Sequence, residues 1–149
     1  PRIWAFMVNC HSPLTTYQIM ASIFTRIVNG EIPCYKIAED ENYLAFLDVS
    51  PLAKGHTLVI PKKETDYIFD IPSAEHQGLW SFAQTVAKAI SKAVPCRRVG
   101  VAVIGLEVPH AHIHLIPMNK VSDMNFASPK LAFSKGEMEE VAGSIKAAL

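Results

Sequence analysis

His110-Ala111-His112-Ile113-His114-Leu115-Ile116-Pro117 is the stretch on which the reading of this chain turns. Side chains alternate across a strand, so positions 110, 112 and 114 are expected on one face, about 6.6–7 Å apart per step, with Ala111, Ile113 and Leu115 on the other. A core strand would use Val or Ile instead, and imidazoles in register each need their own hydrogen-bond partners when buried. The row therefore points to chemistry, and two kinds fit. Imidazoles at i and i+2 can both reach one Zn²⁺ at about 2.0–2.1 Å, with His56 completing the set through space. Alternatively, one imidazole attacks phosphorus while its neighbours hold the phosphate oxygens. An imidazole titrates near pH 6.5, so it can serve as either nucleophile or donor at neutral pH.

Working outward, Val99–Ile104 and His110–Ile116 read as two strands joined by a tight loop containing Gly105. Upstream, apolar residues at 79, 82, 83, 86, 90, 93 and 94 form the stripe of an amphipathic helix over Ser73–Val94, with Ser73 as N-cap and Pro95 as its stop. His56–Ile60 is a β-branched run stopped by Pro61, behind the turn-rich Ser50-Pro51-Leu52-Ala53-Lys54-Gly55. Cys34–Ala38 and Tyr43–Asp48, split by the polar Glu39-Asp40-Glu41-Asn42, read as a hairpin. Ser22 is placed to N-cap a short helix over Ile23–Asn29 that ends at Gly30. At the other end, Ser134-x-x-Glu137 is a capping-box pattern opening a helix to about Ala148. The expected fold is α+β, an antiparallel sheet of about five strands with one long helix packed on it and short terminal helices. The domain is expected over residues 20–149. Residues 1–19 share no pattern with it and are expected to be a dispensable extension.

Composition narrows the function. The 149 residues carry 14 Lys+Arg against 14 Asp+Glu and are 50% hydrophobic, which describes a chain that buries a core. A net charge of zero without a basic run supplies no field for a nucleic-acid backbone, so polymeric nucleic acid is not an expected partner. Val99–Leu106 is far short of the ~20 residues that span a bilayer. Ile3–Val8 is shorter than the ~7–15 residues of a signal-peptide core. The expected compartment is the cytoplasm, without membrane attachment. Cys10, Cys34 and Cys96 form no C-x-x-C pair and read as ordinary reduced thiols.

His-x-His-x-His followed by two apolar residues resembles the signature of the histidine triad superfamily of nucleotide hydrolases and transferases, in its Hint-like branch. Ser22-Ile23-Phe24, Gly30-Glu31-Ile32-Pro33, Ala45-Phe46-Leu47-Asp48 and Gly55-His56-Thr57-Leu58-Val59-Ile60-Pro61-Lys62 resemble Hint segments in the same order, so the likeness covers about residues 20–118. It implies that His112 attacks the α-phosphate and becomes transiently nucleotidylated, its ring oriented by the backbone carbonyl of His110. His114 and His56 would contact phosphate oxygens. Asp48 would grip the ribose hydroxyls, a role that suits a carboxylate because it only accepts hydrogen bonds; the competing role is capping of the Val49-Ser50-Pro51 turn. Phe24, Ile27, Ile32, Phe46 and Val49 match the apolar slot for a purine. A homodimer is implied, with the helix near Ser73–Val94 in its interface.

The chain also departs from the pattern. Hint proteins typically carry an Asn, a glycine-rich turn and a Gln-Ser pair before the triad, where this chain has Val103-Ile104-Gly105-Leu106-Glu107-Val108-Pro109. Glu107 stands where a small hydroxyl residue is usual, beside Val108, and Pro109 removes an amide donor. The Cys and His residues that bind zinc in some members near this helix are absent, since Ser22 and Thr25 stand there, so no structural metal and no cofactor are expected. The leading expectation is a hydrolase or transferase acting on purine nucleoside 5′-phosphate esters, anhydrides or phosphoramidates. The alternatives are a nucleotide-binding module with negligible turnover and a metal-dependent enzyme using His110, His112 and His56.

Overall fold

The computed structural model describes residues 20–149. The N-terminal extension expected over residues 1–19 lies outside them. Five antiparallel strands, β1 (Lys36–Glu39), β2 (Tyr43–Leu47), β3 (Thr57–Pro61), β4 (Arg98–Ala102) and β5 (Ile113–Met118), form one sheet in the order β1-β2-β3-β5-β4. Three helices accompany it, α1 (Ile23–Val28), α2 (Ser73–Ala93) and α3 (Lys135–Ala147), so the α+β expectation holds.

The sheet is apolar on both faces, and strand alternation sorts its side chains between two clusters. Tyr43, Ala45 and Leu47 of β2, Val59 of β3, and Ile113 and Leu115 of β5 face the helices. Against them pack Leu79, Ala83, Val86 and Ile90 of the predicted α2 stripe, with Ala89 beside them, together with Met138, Val141 and Ile145 of α3. The opposite face carries Leu44, Phe46, Leu58 and Ile60, and α1 lays Phe24 on it. Register sets Phe46 opposite Leu58 and Leu58 opposite His114, so one row crosses three strands from the apolar cluster to the histidines.

The caps follow the sequence in two cases of three. The Ser22 side chain accepts the Thr25 N–H, and Ser134 and Glu137 form the reciprocal capping box. Ser73, expected as an N-cap, is instead the first helical residue behind Pro72, which has no side-chain oxygen to offer. At Gly55 φ is +87°, and an added Cβ would sit 2.9 Å from Val94 Cγ2, so the turn that delivers His56 to β3 requires glycine on two counts.

The largest correction concerns the triad. The expected strand over His110–Ile116 begins only at Ile113, and β4 ends at Ala102. Residues 103–112 form an irregular connection rather than a tight loop. The backbone explains it: Pro109 has no N–H, the His110 N–H turns back to the Val108 carbonyl at 2.8 Å, and the Ala111 N–H goes to Thr65 at 2.7 Å. Those donors are spent outside the sheet, so residues 110 and 111 have no N–H left to give to a ladder.

Candidate active site

Because the triad straddles loop and strand, its imidazoles do not form the even row that alternation predicts. His112 and His114 open onto a cleft of about 500 Å³, within the usual range for a small-molecule site. Their ring centroids are 4.8 Å apart. His110, fully buried, lies behind this wall rather than on it.

The hydrogen bonds around His110 decide where its proton sits. Nε2 lies 2.7 Å from the Pro61 carbonyl, which can only accept, so Nε2 carries hydrogen and donates. Nδ1 is then an acceptor for the Ser22 hydroxyl at 2.9 Å. Thr25 is the next link: its hydroxyl stands 3.2 Å from that of Ser22 and donates to the Glu64 carboxylate. The Ser22 N–H also reaches Glu64, at 3.0 Å. These contacts hold the Glu64 carboxyl below its ordinary pKa, the Thr25 hydrogen bond first and the Ser22 amide second. Burial pushes the His110 imidazole down. Among the described residues no buried side-chain nitrogen or oxygen lacks a partner. This clasp of two hydroxyls, one carboxylate and one imidazole is a poor match for zinc, which takes Cys sulfur and His nitrogen in its structural sites.

With its ring fixed, His110 presents its backbone carbonyl 2.7 Å from Nδ1 of His112. A carbonyl only accepts, so His112 carries its proton on Nδ1 and turns the lone pair of Nε2 toward the cleft. Phe24 stands edge-on to this ring at 5.1 Å and limits its rotation.

A second relay fixes His114. The Leu52 N–H donates to Nδ1 of His56 at 3.0 Å, which leaves the proton of His56 on Nε2. That atom lies 3.0 Å from Nδ1 of His114, so His114 in turn keeps its proton on Nε2. Both rings are buried, and burial is the first cause that lowers His56 to about 4 and His114 to about 3. Neighbouring His112 and Lys130 add to the depression at both, while Asp48 opposes it at His56. At neutral pH both rings are uncharged.

Asp48 follows β2 at the cleft edge. Its Oδ1 accepts the Ser50 N–H at 2.8 Å, so the turn-capping role is present, and its Oδ2 lies 3.7 Å from Nε2 of His56. The apolar residues assigned to a purine slot, Phe24, Ile27, Ile32, Phe46 and Val49, all line the cleft, as do Glu107 and Val108. Val49 is 71% exposed and so stands at the rim rather than in a closed slot.

For a metal, the described residues offer Asp48, His56 and His114, with one ligand atom each within 4.8 Å of the others. This is not the His110–His112 combination read from the sequence. His110 has both ring nitrogens engaged and His112 has one, so the i, i+2 pair cannot close on an ion without breaking the clasp.

Sequence reading missed the clasp in which Ser22 and Thr25 link His110 to Glu64, and it missed Phe126 and Lys130 on the cleft wall. Glu64 lies 46 positions before His110 in sequence, and nothing local in residues 119–133 marks Phe126 or Lys130. The Phe126 ring stands 4.9 Å from His114 and 6.5 Å from His56.

The chain also has relatives among known proteins. The chain is similar to an uncharacterized HIT-like protein of Methanocaldococcus jannaschii, 40% identical over 102 residues, 64% of this chain and 77% of that protein. It is 33% identical to the adenosine 5′-monophosphoramidase hnt1 of Schizosaccharomyces pombe over 133 residues, 85% of this chain and all of that protein. The crystal structure of a Hit-like protein involved in cell-cycle regulation from Bartonella henselae superposes with a TM-score of 0.76 at 32% identity, covering 86% of this chain and 96% of that one. The HIT domain family matches residues 29–121, and this chain belongs to it.

Proposed function

We propose that this protein is a nucleotide hydrolase or nucleotidyl transferase that attacks the α-phosphate of purine nucleoside 5′-phosphate esters, anhydrides or phosphoramidates through a covalent nucleotidyl-histidine. The observation that carries this is the 2.7 Å contact between the His110 carbonyl and Nδ1 of His112, which assigns the proton of the neutral ring to Nδ1 and the lone pair to Nε2. The relative named as an adenosine 5′-monophosphoramidase supports the reaction class.

In the first step the Nε2 lone pair of His112 forms an N–P bond. The bond from phosphorus to the leaving atom breaks, and its electron pair departs with that atom. The Nε2–H of His114, fixed by the His56 relay, donates to a phosphate oxygen or to the leaving atom. Since both ring nitrogens of His56 are engaged, His56 acts on phosphate through His114. Water then attacks phosphorus, the N–P bond breaks, and the nucleoside monophosphate is released. In this reading Asp48 accepts the ribose hydroxyls and the Phe24, Ile27, Ile32 and Phe46 surface takes the purine, a reading supported by their all lining the one cleft.

The proposal includes a homodimer in the cytoplasm. Cys34 and Cys96 are free thiols, as a reducing compartment would keep them. Among the described residues no helix is long and apolar enough to cross a membrane.

The test is His112→Asn with an adenosine phosphoramidate. Asparagine is close in size and polarity but cannot attack phosphorus, so turnover should vanish while nucleoside monophosphate binding survives. Retention of more than a few per cent of activity would remove His112 from the role. Acid-labile phosphoramidate on His112, trapped in the wild type, separates catalysis from a binding module that does not turn over. Activity lost on chelation and restored by Zn²⁺ would favour the metal reading instead.

A further inference from the structure

The cleft wall carries one feature that the reaction above does not use. Among the described residues lining the cleft, Lys130 is the one lysine or arginine, alongside two acids, Asp48 and Glu107. Its Nζ donates to the Phe126 carbonyl at 2.7 Å and stands 5.5 Å from the centre of the Phe126 ring. That ring is the one packed edge-on against His114. A segment without regular structure thus carries an ammonium to the histidine end of the cleft and holds it there by a carbonyl and an aromatic face.

A second lysine or arginine is missing from the described residues that line the cleft. His56 and His114 are uncharged at neutral pH, and the loop at 103–108 brings the apolar Ile104 and Leu106 with Glu107. The geometry points to Lys130 as the residue that receives the departing group when that group is an anion, so that this site favours nucleotides whose leaving group is a sulfate or phosphate over those that release an amine. The inference rests on the proposed attack by His112.

The chemistry of departure separates the two classes. When the P–O bond of a mixed anhydride breaks, the electron pair stays on a sulfate or phosphate oxygen that needs no proton but gains a full negative charge. A lysine ammonium neutralises that charge without giving up a proton. An amine leaves as a neutral molecule that takes its proton from solvent, so no anion forms for the ammonium to neutralise.

The experiment compares adenosine 5′-phosphosulfate with adenosine 5′-phosphoramidate on the wild type, Lys130→Met and Lys130→Arg. Methionine keeps the length of the side chain and removes its charge; arginine keeps the charge. The ratio of kcat/KM for the phosphosulfate over the phosphoramidate should fall about 10- to 30-fold in Lys130→Met, roughly 1.4–2 kcal/mol, and recover to within about threefold in Lys130→Arg. A ratio that moves less than about twofold in Lys130→Met, or one that falls equally in both variants, overturns the assignment. A purely structural role for the segment would depress both substrates together and leave the ratio unchanged. Calorimetric binding of adenosine 5′-methylenediphosphonate against AMP reads the preference for an anionic second group without turnover. If the wild type hydrolyses neither substrate, the hydrolase reading fails. In that case, loss of the diphosphonate preference in Lys130→Met alone still upholds the cation's role, and an unchanged preference rejects it.

Discussion

Replacing Ser22 tests the clasp that holds His110, because the Ser22 hydroxyl has two partners with separable energies. It accepts the Thr25 N–H at 3.1 Å as the N-cap of α1 and donates to Nδ1 of His110 at 2.9 Å. Ser22 is 6% exposed and His110 fully buried, so no solvent replaces the hydroxyl when it is removed. In Ser22→Ala both contacts go. The lost cap costs about 1 kcal/mol, and the orphaned imidazole nitrogen about 1–3 kcal/mol, for a total of about 2–4 kcal/mol. Ser22→Gly separates the two, since glycine caps nearly as well as serine and loses only a few tenths of a kcal/mol there. It should therefore cost about 1–3 kcal/mol, nearly all of it from His110. Ser22→Thr keeps the hydroxyl and should stay within about 1 kcal/mol of wild type. Urea unfolding of the four proteins, with equal m values, gives these differences directly. If Ser22→Gly is within 0.5 kcal/mol of wild type, the His110 hydrogen bond carries no stability and the clasp account fails. Thr25 Oγ1, 3.4 Å from the same nitrogen, is the one group near enough to take over, so Ser22→Gly in a Thr25→Val background should be worse than the sum of the two single changes.

Three other outcomes follow from the same geometry. Asp48→Ala should weaken a ribonucleoside monophosphate by about 1.5–3 kcal/mol and its 2′-deoxy analogue distinctly less; equal losses by calorimetry would leave Asp48 with the Ser50 turn alone. Acid should unfold the protein through His56 and His114. Their native pKa values, about 4 and 3, lie below the ordinary 6.5, so the unfolded chain binds the extra protons. Stability is then full above pH 6.5 and falls as pH drops from there toward 4, by about 1.4–2.7 kcal/mol per pH unit; a flat urea midpoint between pH 6.5 and 5 would contradict this. Glu107→Ser should tighten nucleoside monophosphate binding about 5- to 150-fold, since two like charges at about 6 Å and an effective dielectric of ~20–60 repel by about 1–3 kcal/mol. That gain should shrink as salt rises, and an unchanged affinity would mean that Glu107 faces only solvent.

Much of this protein is written in local sequence. The α2 stripe from Leu79 to Ile90, the Ser22 and Ser134 caps, and the β2 and β3 runs depend on neighbours a few residues away, so period and cap chemistry suffice to find them. The predicted site residues other than His110 all line the cleft, and they were legible as a set because the motif around His112 and the segments holding Asp48 and His56 lie in a recognisable order. What the tertiary structure decided is how those residues are connected. Whether His110 lies in a strand depends on where the N–H of Ala111 finds an acceptor, and that acceptor is Thr65, far along the chain. Which nitrogen of each imidazole bears hydrogen follows from Pro61, Ser22, Leu52 and the His110 carbonyl, partners that share no periodicity with the triad. Glu64 and Lys130 reach the site only through folding of irregular segments. Periodicity reports which face a residue takes, but hydrogen bonding between distant segments is a property of the closed chain, and it alone sets the protons on which the proposed chemistry depends.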